Sequence, residues 1–83
     1  MIRGRKDYDR IQDPAGLIPD DEPVFLIRGK DMVGPLTVSA WADLAAAAGA
    51  DDTIVETARQ HAHAMEKWQL ENGSKIPDMP EGA

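Results

Sequence analysis

The sequence predicts an α+β protomer that is mostly helical and is completed by homo-oligomerisation. Its parts are an N-terminal arm (residues 1–23), a strand-helix-helix domain (24–73) with one short strand and two antiparallel helices, and a flexible tail (74–83). Three observations lead to this prediction: one run of large apolar residues, two segments of helical periodicity after it, and 83 residues without a cysteine. Because so short a chain seldom closes a core alone and has no disulfide to help, assembly with further copies is expected.

The strand is predicted at Val24–Arg28, directly after three acidic residues that lie between Pro19 and Pro23. Four of its residues are apolar and continuous, a pattern that indicates burial on both faces. A turn of helix is the alternative, but β-branched and aromatic side chains favour a strand. Since the chain offers no second strand of this quality, the expected pairing partner is the arm or the same strand of another subunit.

Two helices are predicted after a basic turn. The first spans 34–48, with Pro35 suited to its first turn and Gly49 to its end. This helix is apolar around most of its circumference, which indicates a surface shared between subunits. The second begins at 51 or 52, where an aspartate caps it, and runs to about 72, with Gly73 ending it.

Charge narrows the expected partners. Fifteen acidic and nine basic residues give a net charge of −6, which argues against general nucleic-acid binding. Residues 1–10 hold four basic and two acidic side chains, so the remaining 73 residues carry −8. No apolar run reaches the roughly 18–20 residues of a membrane span, and residues 1–10 lack the apolar core of a secretion signal. The sequence therefore predicts a cytoplasmic protein without membrane contact.

Arg28 and Lys30 form the predicted anion site. They precede a helix N-terminus, where backbone N–H groups, the helix dipole and the hydroxyls of Thr37 and Ser39 favour a phosphate. The spacing matches neither a P-loop nor a dinucleotide fingerprint. The alternative is that both cations pair with nearby acids, namely Asp21, Glu22 and Asp31.

Aromatic and histidine side chains supply the other candidate contacts. Tyr8 or Trp41 is expected to stack on a ligand, although both tryptophans also suit core or interface anchors. His61 lies on an apolar helical face, where it is either a polar contact to the ligand or a satisfied core histidine. His63 points to the opposite side and is expected to contact Glu66 or Lys67. The two histidines therefore share no metal, and no metal or other cofactor is predicted.

No catalytic set is present in the sequence. The chain has no cysteine, and neither Ser39 nor Ser74 lies in the context of a nucleophile elbow. The adjacent carboxylates at 51–52 are explained by helix capping, and those at 20–21 by solvation of a loop. The sequence therefore predicts a protein that is not an enzyme.

The chain resembles short proteins encoded by tailed phages and prophages. The resemblance covers roughly residues 8–70 and follows the pattern RIQDP…DEPVFLIRGKD…W…HAxxMEKW. It implies a viral accessory context and assigns no role to any residue. Small phage proteins often act on host machinery, and one class among them consists of compact homo-oligomers that sequester nucleotide immune signals.

The leading hypothesis is a non-catalytic homo-oligomer that captures a small anionic ligand, such as a cyclic nucleotide, between subunits. Arg28 and Lys30 would hold the phosphates, Tyr8 or Trp41 would stack, and His61 would add a polar contact. The alternative is a protein–protein interaction module that inhibits or adapts a host protein through the acidic side of the second helix or the tail. A plain structural oligomer without a ligand is a third hypothesis.

Overall fold

The computed structural model describes residues 15–78. They form two helices, α1 (Gly34–Ala47) and α2 (Asp52–Asn72). The described chain divides into two compact units. One unit, Ile27–Pro77, contains both helices and is called the helical unit below; the other includes residues 15–26 and Asp78. Predictions that concern residues 1–14 or 79–83, the stacking role of Tyr8 among them, lie outside the described residues.

Helix α1 begins where the sequence predicts. Pro35 lies in its first turn, where its fixed φ fits and its missing N–H costs nothing. The helix ends at Ala47, and Gly49 follows with φ +89°, a left-handed conformation that glycine adopts without strain. The predicted span of 34–48 is confirmed to within one residue.

Helix α2 is also confirmed. Its N-cap is Asp51, whose Oδ1 accepts a hydrogen bond of 2.8 Å from the backbone N–H of Thr53. The helix continues to Asn72, and Gly73 then ends it with φ +83°. The backbone N–H of Gly73 donates to the carbonyl of Gln69 over 2.7 Å, which satisfies one of the last helical carbonyls.

The two helices pack as an antiparallel pair, because only a short connection separates them and side chains on either side of it meet. Arg59 of α2, for example, reaches Asp43 of α1 with an Nη1–Oδ1 distance of 2.8 Å. Their contact is built from small side chains: Ala42, Val55 and Ala58 are buried there. Small residues allow the two backbones to approach closely, but they bury little apolar surface.

The predicted strand at Val24–Arg28 is wrong, and with it the α+β class. Residues 15–78 contain two helices and neither a strand nor a sheet, so the fold is mostly helical. Burial on both faces is also wrong, since Phe25 is 72% exposed. A strand needs several successive backbone pairings, whereas the helical unit forms a single parallel bridge, between Asp31 and Lys75. Strand formation depends on such pairing partners, so an apolar run alone does not predict a strand.

Within residues 15–78, neither helix combines the length and the apolar character that a bilayer crossing requires.

Candidate functional site

A hollow of about 390 Å³ lies between the Arg28–Lys30 turn and one flank of α2. We call it the basic hollow. Its volume falls in the range of roughly 300–1,000 Å³ that is usual for small-molecule sites. The side chains and backbone that line it come from Arg28, Gly29, Lys30, His61, Ala64, Met65 and Trp68.

The basic turn is fixed to α2 by the side chain of Gln69. The Gln69 amide nitrogen donates to the backbone carbonyls of Gly29 and Asp31, each over 2.8 Å. Both hydrogen bonds are partly buried, and they join residues about forty positions apart. Because an amide group carries two N–H donors, one side chain holds both carbonyls.

The segment after α2 fixes the turn from a second direction. The backbone N–H of Lys75 donates to the carbonyl of Lys30 over 3.0 Å, and the N–H of Met32 donates to the carbonyl of Lys75 over 2.8 Å. Within the turn itself, the N–H of Asp31 donates to the carbonyl of Arg28 over 3.1 Å. The turn is thus held through backbone groups, and the charged ends of Arg28 and Lys30 take no part in holding it.

Neither Arg28 nor Lys30 forms an ion pair in the described part of the chain. Within the helical unit, pairing with the nearby acid Asp31 is not found, although Asp31 follows Lys30 directly. Two cations that have no carboxylate partner within the helical unit line the same hollow, which suits an anion.

His61 lies on the rim of the hollow and is exposed, so it is not a core histidine. Its Nδ1 is 3.0 Å from the carbonyl oxygen of Thr57. A carbonyl only accepts, so we assign the ring proton to Nδ1. The other ring nitrogen, Nε2, is then left for a ligand, as an acceptor on the neutral ring and as a donor on the protonated one. His63 lies beside Glu66 as predicted, with 3.9 Å between its Nδ1 and the Glu66 Oε2.

Apolar contact in the hollow comes from α2. Trp68 is 43% exposed there, and Met65 and Ala64 lie beside it. The sequence predicts stacking by Trp41 or Tyr8, and it singles out neither Trp68 nor the anchoring role of Gln69. A signal was present for Trp68, because it follows His61 by seven residues and so shares its helical face.

The other predicted contacts do not meet at this hollow. Thr37 and Trp41 lie on α1, whose residues do not line it. The Thr37 hydroxyl instead donates to the carbonyl of Val33 over 2.7 Å. The sequence predicts that the N-terminus of α1 forms part of the anion site. Gly34 and Pro35 at that end are buried and do not line the hollow, so this prediction is wrong. Of the predicted residues, the structure brings together Arg28, Lys30 and His61.

A second hollow of about 410 Å³ is lined by Glu66, Gln69, Leu70 and Ser74. Its charged group is a carboxylate, so it does not suit an anion. No set of three or more potential metal ligands occurs among residues 15–78. Comparison of the chain with known protein families, with characterised proteins and with solved structures finds no match.

Proposed function

We propose that this chain is a non-catalytic, homo-oligomeric accessory protein of phage type that captures a small anionic ligand in the basic hollow. The observation that carries the proposal is the meeting of Arg28, Lys30 and His61 at one hollow, to which the helical unit contributes no carboxylate. The host cytoplasm is the proposed location. No membrane partner and no general binding of nucleic acid are part of the proposal.

Two features of the site support ligand capture. The turn is held in place by Gln69 and Lys75 before any ligand arrives, so binding has no loop to order. Apolar walls from Met65 and Trp68 lie next to the cations. A charge contact next to apolar walls is screened less than one in open water, so each phosphate contact is strengthened.

The first test is calorimetric titration of the protein with inorganic phosphate, pyrophosphate and a panel of nucleotides. Each cation is expected to supply one charge-assisted hydrogen bond of about 1.5–3 kcal/mol. The double variant Arg28→Ala/Lys30→Ala removes two such bonds and should therefore lose at least about a hundredfold in affinity. Circular dichroism should show the same helix content as the native chain, since the turn is held by its backbone.

The matched control is Arg59→Ala/Lys67→Ala, which also removes two cations from the helical unit but none from the hollow. Its affinity should remain close to that of the native chain. Equal losses in the two double variants would mean that anions respond to overall charge alone, and the site assignment would be wrong.

Native mass spectrometry of the protein, purified from cells and then incubated with a mixed nucleotide extract, would identify the cargo. An oligomer with a discrete added mass of a few hundred daltons supports capture. An oligomer without added mass, together with no binding in the titrations, would contradict it and favour the protein–protein interaction module. Capture is preferred to that alternative because neither Arg28 nor Lys30 forms an ion pair within the helical unit.

A further inference from the structure

The surface of α1 that faces away from α2 is apolar, which is unusual for the outer side of a helix. At about 100° per residue, Leu36, Ala40, Leu44 and Ala47 fall within an arc of about 80° on the side opposite the buried Ala42. Leu36 is 74% and Leu44 is 70% exposed. We call these four residues the outer α1 face.

We propose that the outer α1 face pairs with the same face of a second copy of this chain, around a two-fold axis near Ala40. The proposal rests on the homo-oligomer of the proposed function and names the surface that forms it. It concerns α1, whereas the basic hollow lies on α2 and the turn.

The small core is the first reason to expect that this face is covered. Apart from Gly34 and Pro35, the buried apolar residues of the described chain are Ala42, Val55, Ala58 and Ala62, none of them large. Both tryptophans remain more than two-fifths exposed. A helical unit with so little buried surface, in a chain without a cysteine, needs another source of stability. Burying the two leucines between copies supplies it.

Charge is the reason to choose a second copy as the occupant. The chain carries −6, so two copies repel each other over most of their surfaces. The outer α1 face carries no charge at all, and the single charged residue of α1, Asp43, is paired with Arg59 beside it. A two-fold contact places a patch against itself, which an uncharged patch tolerates and a charged patch does not.

The order of side-chain sizes also fits a two-fold contact. Leu36 and Leu44 lie one helical turn before and after Ala40. With two α1 helices antiparallel, Leu36 of each copy would lie near Leu44 of the other, and the two Ala40 residues would meet at the axis. The small Ala40 lets the backbones approach, and the leucines close the contact on both sides.

Sedimentation of Leu44→Glu tests the surface. The glutamate would place two like charges inside the contact, so the variant is expected to be a monomer at concentrations where the native chain is a dimer or larger. Gln60→Glu adds the same charge on the exposed far side of α2 and should assemble like the native chain. Native-like assembly of Leu44→Glu, or a monomeric native chain, would overturn the proposal.

A disulfide test fixes the geometry independently, since the native chain has no cysteine. In Ala40→Cys, the two Cα atoms would need to come within roughly 4.4–6.8 Å for a bridge to form. Mild oxidation should then convert Ala40→Cys, but not Gln60→Cys, to a covalent dimer. In sedimentation, this covalent dimer should behave like the native assembly. Faster bridging of Gln60→Cys would overturn the axis at Ala40.

The binding measurement separates this proposal from the function on which it rests. Titration of Leu44→Glu with pyrophosphate should give the native affinity per chain, because the variant leaves the hollow intact. Monomeric Leu44→Glu that binds pyrophosphate supports both proposals. Assembly as described without any anion binding, in variant and native chain alike, supports the contact and contradicts ligand capture.

Discussion

Replacing Gln69 with leucine should destabilise the helical unit and weaken anion binding together. Leucine has nearly the volume of glutamine but no N–H group, so the carbonyls of Gly29 and Asp31 lose their 2.8 Å hydrogen bonds. Each such bond contributes about 0.5–1.5 kcal/mol net, so their loss amounts to about 1–3 kcal/mol. The lower half of that range is expected, because the site is only partly buried and water can reach the carbonyls.

Thermal unfolding followed by circular dichroism measures the first effect. For a domain of 60–100 residues, 1 kcal/mol corresponds to a change in Tm of about 4–8 °C. Gln69→Leu should therefore lower the Tm by several degrees. Gln60→Leu is the control: it is the same substitution on the same helix, and the Gln60 amide is 3.5 Å from Glu56, in an exposed pair that contributes little.

The second effect is on the turn. The backbone pairing with Lys75 remains in Gln69→Leu, so the turn loosens without being released. The affinity for pyrophosphate should fall although Arg28 and Lys30 are both present. Gln69→Glu should be worse than Gln69→Leu at neutral pH, because it places a carboxylate against two carbonyl oxygens. Equal Tm values for Gln69→Leu and Gln60→Leu would refute the anchoring role of Gln69.

Three further predictions concern α1 and α2. Hydrogen bonds from the Thr53 backbone N–H and then its hydroxyl lower the pKa of Asp51, so its stabilising effect is full at neutral pH and is lost as pH falls through the folded value. The amount by which Asp51→Ala lowers the Tm should therefore decrease as the pH falls below about 4, the ordinary aspartate pKa. At neutral pH, Asp51→Asn should lower the Tm by less than Asp51→Ala. The exposed Arg59–Asp43 pair should show a coupling energy below about 1 kcal/mol in a double-mutant cycle, and less at high salt. Gly34→Ala should lower the Tm, because the added Cβ would lie 3.0 Å from the carbonyl oxygen of Arg28; a raised Tm would show that the turn yields.

The helices were predictable from sequence because their signals are local. Pro35 and Gly49 mark the limits of α1, and Asp51 and Gly73 mark those of α2. Each acts on backbone groups within a few residues, so no knowledge of the rest of the fold is needed. The segment from Val24 was different. Whether an apolar run becomes a strand depends on a distant pairing partner, which the sequence does not identify.

The candidate site was predictable only in part, for the same reason. Arg28 and Lys30 were found from their spacing in one turn, and His61 from its place on a helical face. Trp68 lines the same hollow and Gln69 holds the turn, but both lie about forty residues after the turn in the sequence. The two residues come close to the turn because the helices pack antiparallel, which brings the end of α2 back to the start of α1.

The distribution of charge allows the proposed assembly and the proposed ligand capture to lie on different helices. Helix α1 has a single charged residue, already paired, so its outer face suits contact with a like-charged copy. Arg28 and Lys30, which form no ion pair within the helical unit, lie instead on a turn whose backbone is held by α2 and the segment after it. Because holding the turn uses no charged side chain, Arg28 and Lys30 are left for a ligand. Assembly through α1 and capture beside α2 therefore need not compete for the same residues.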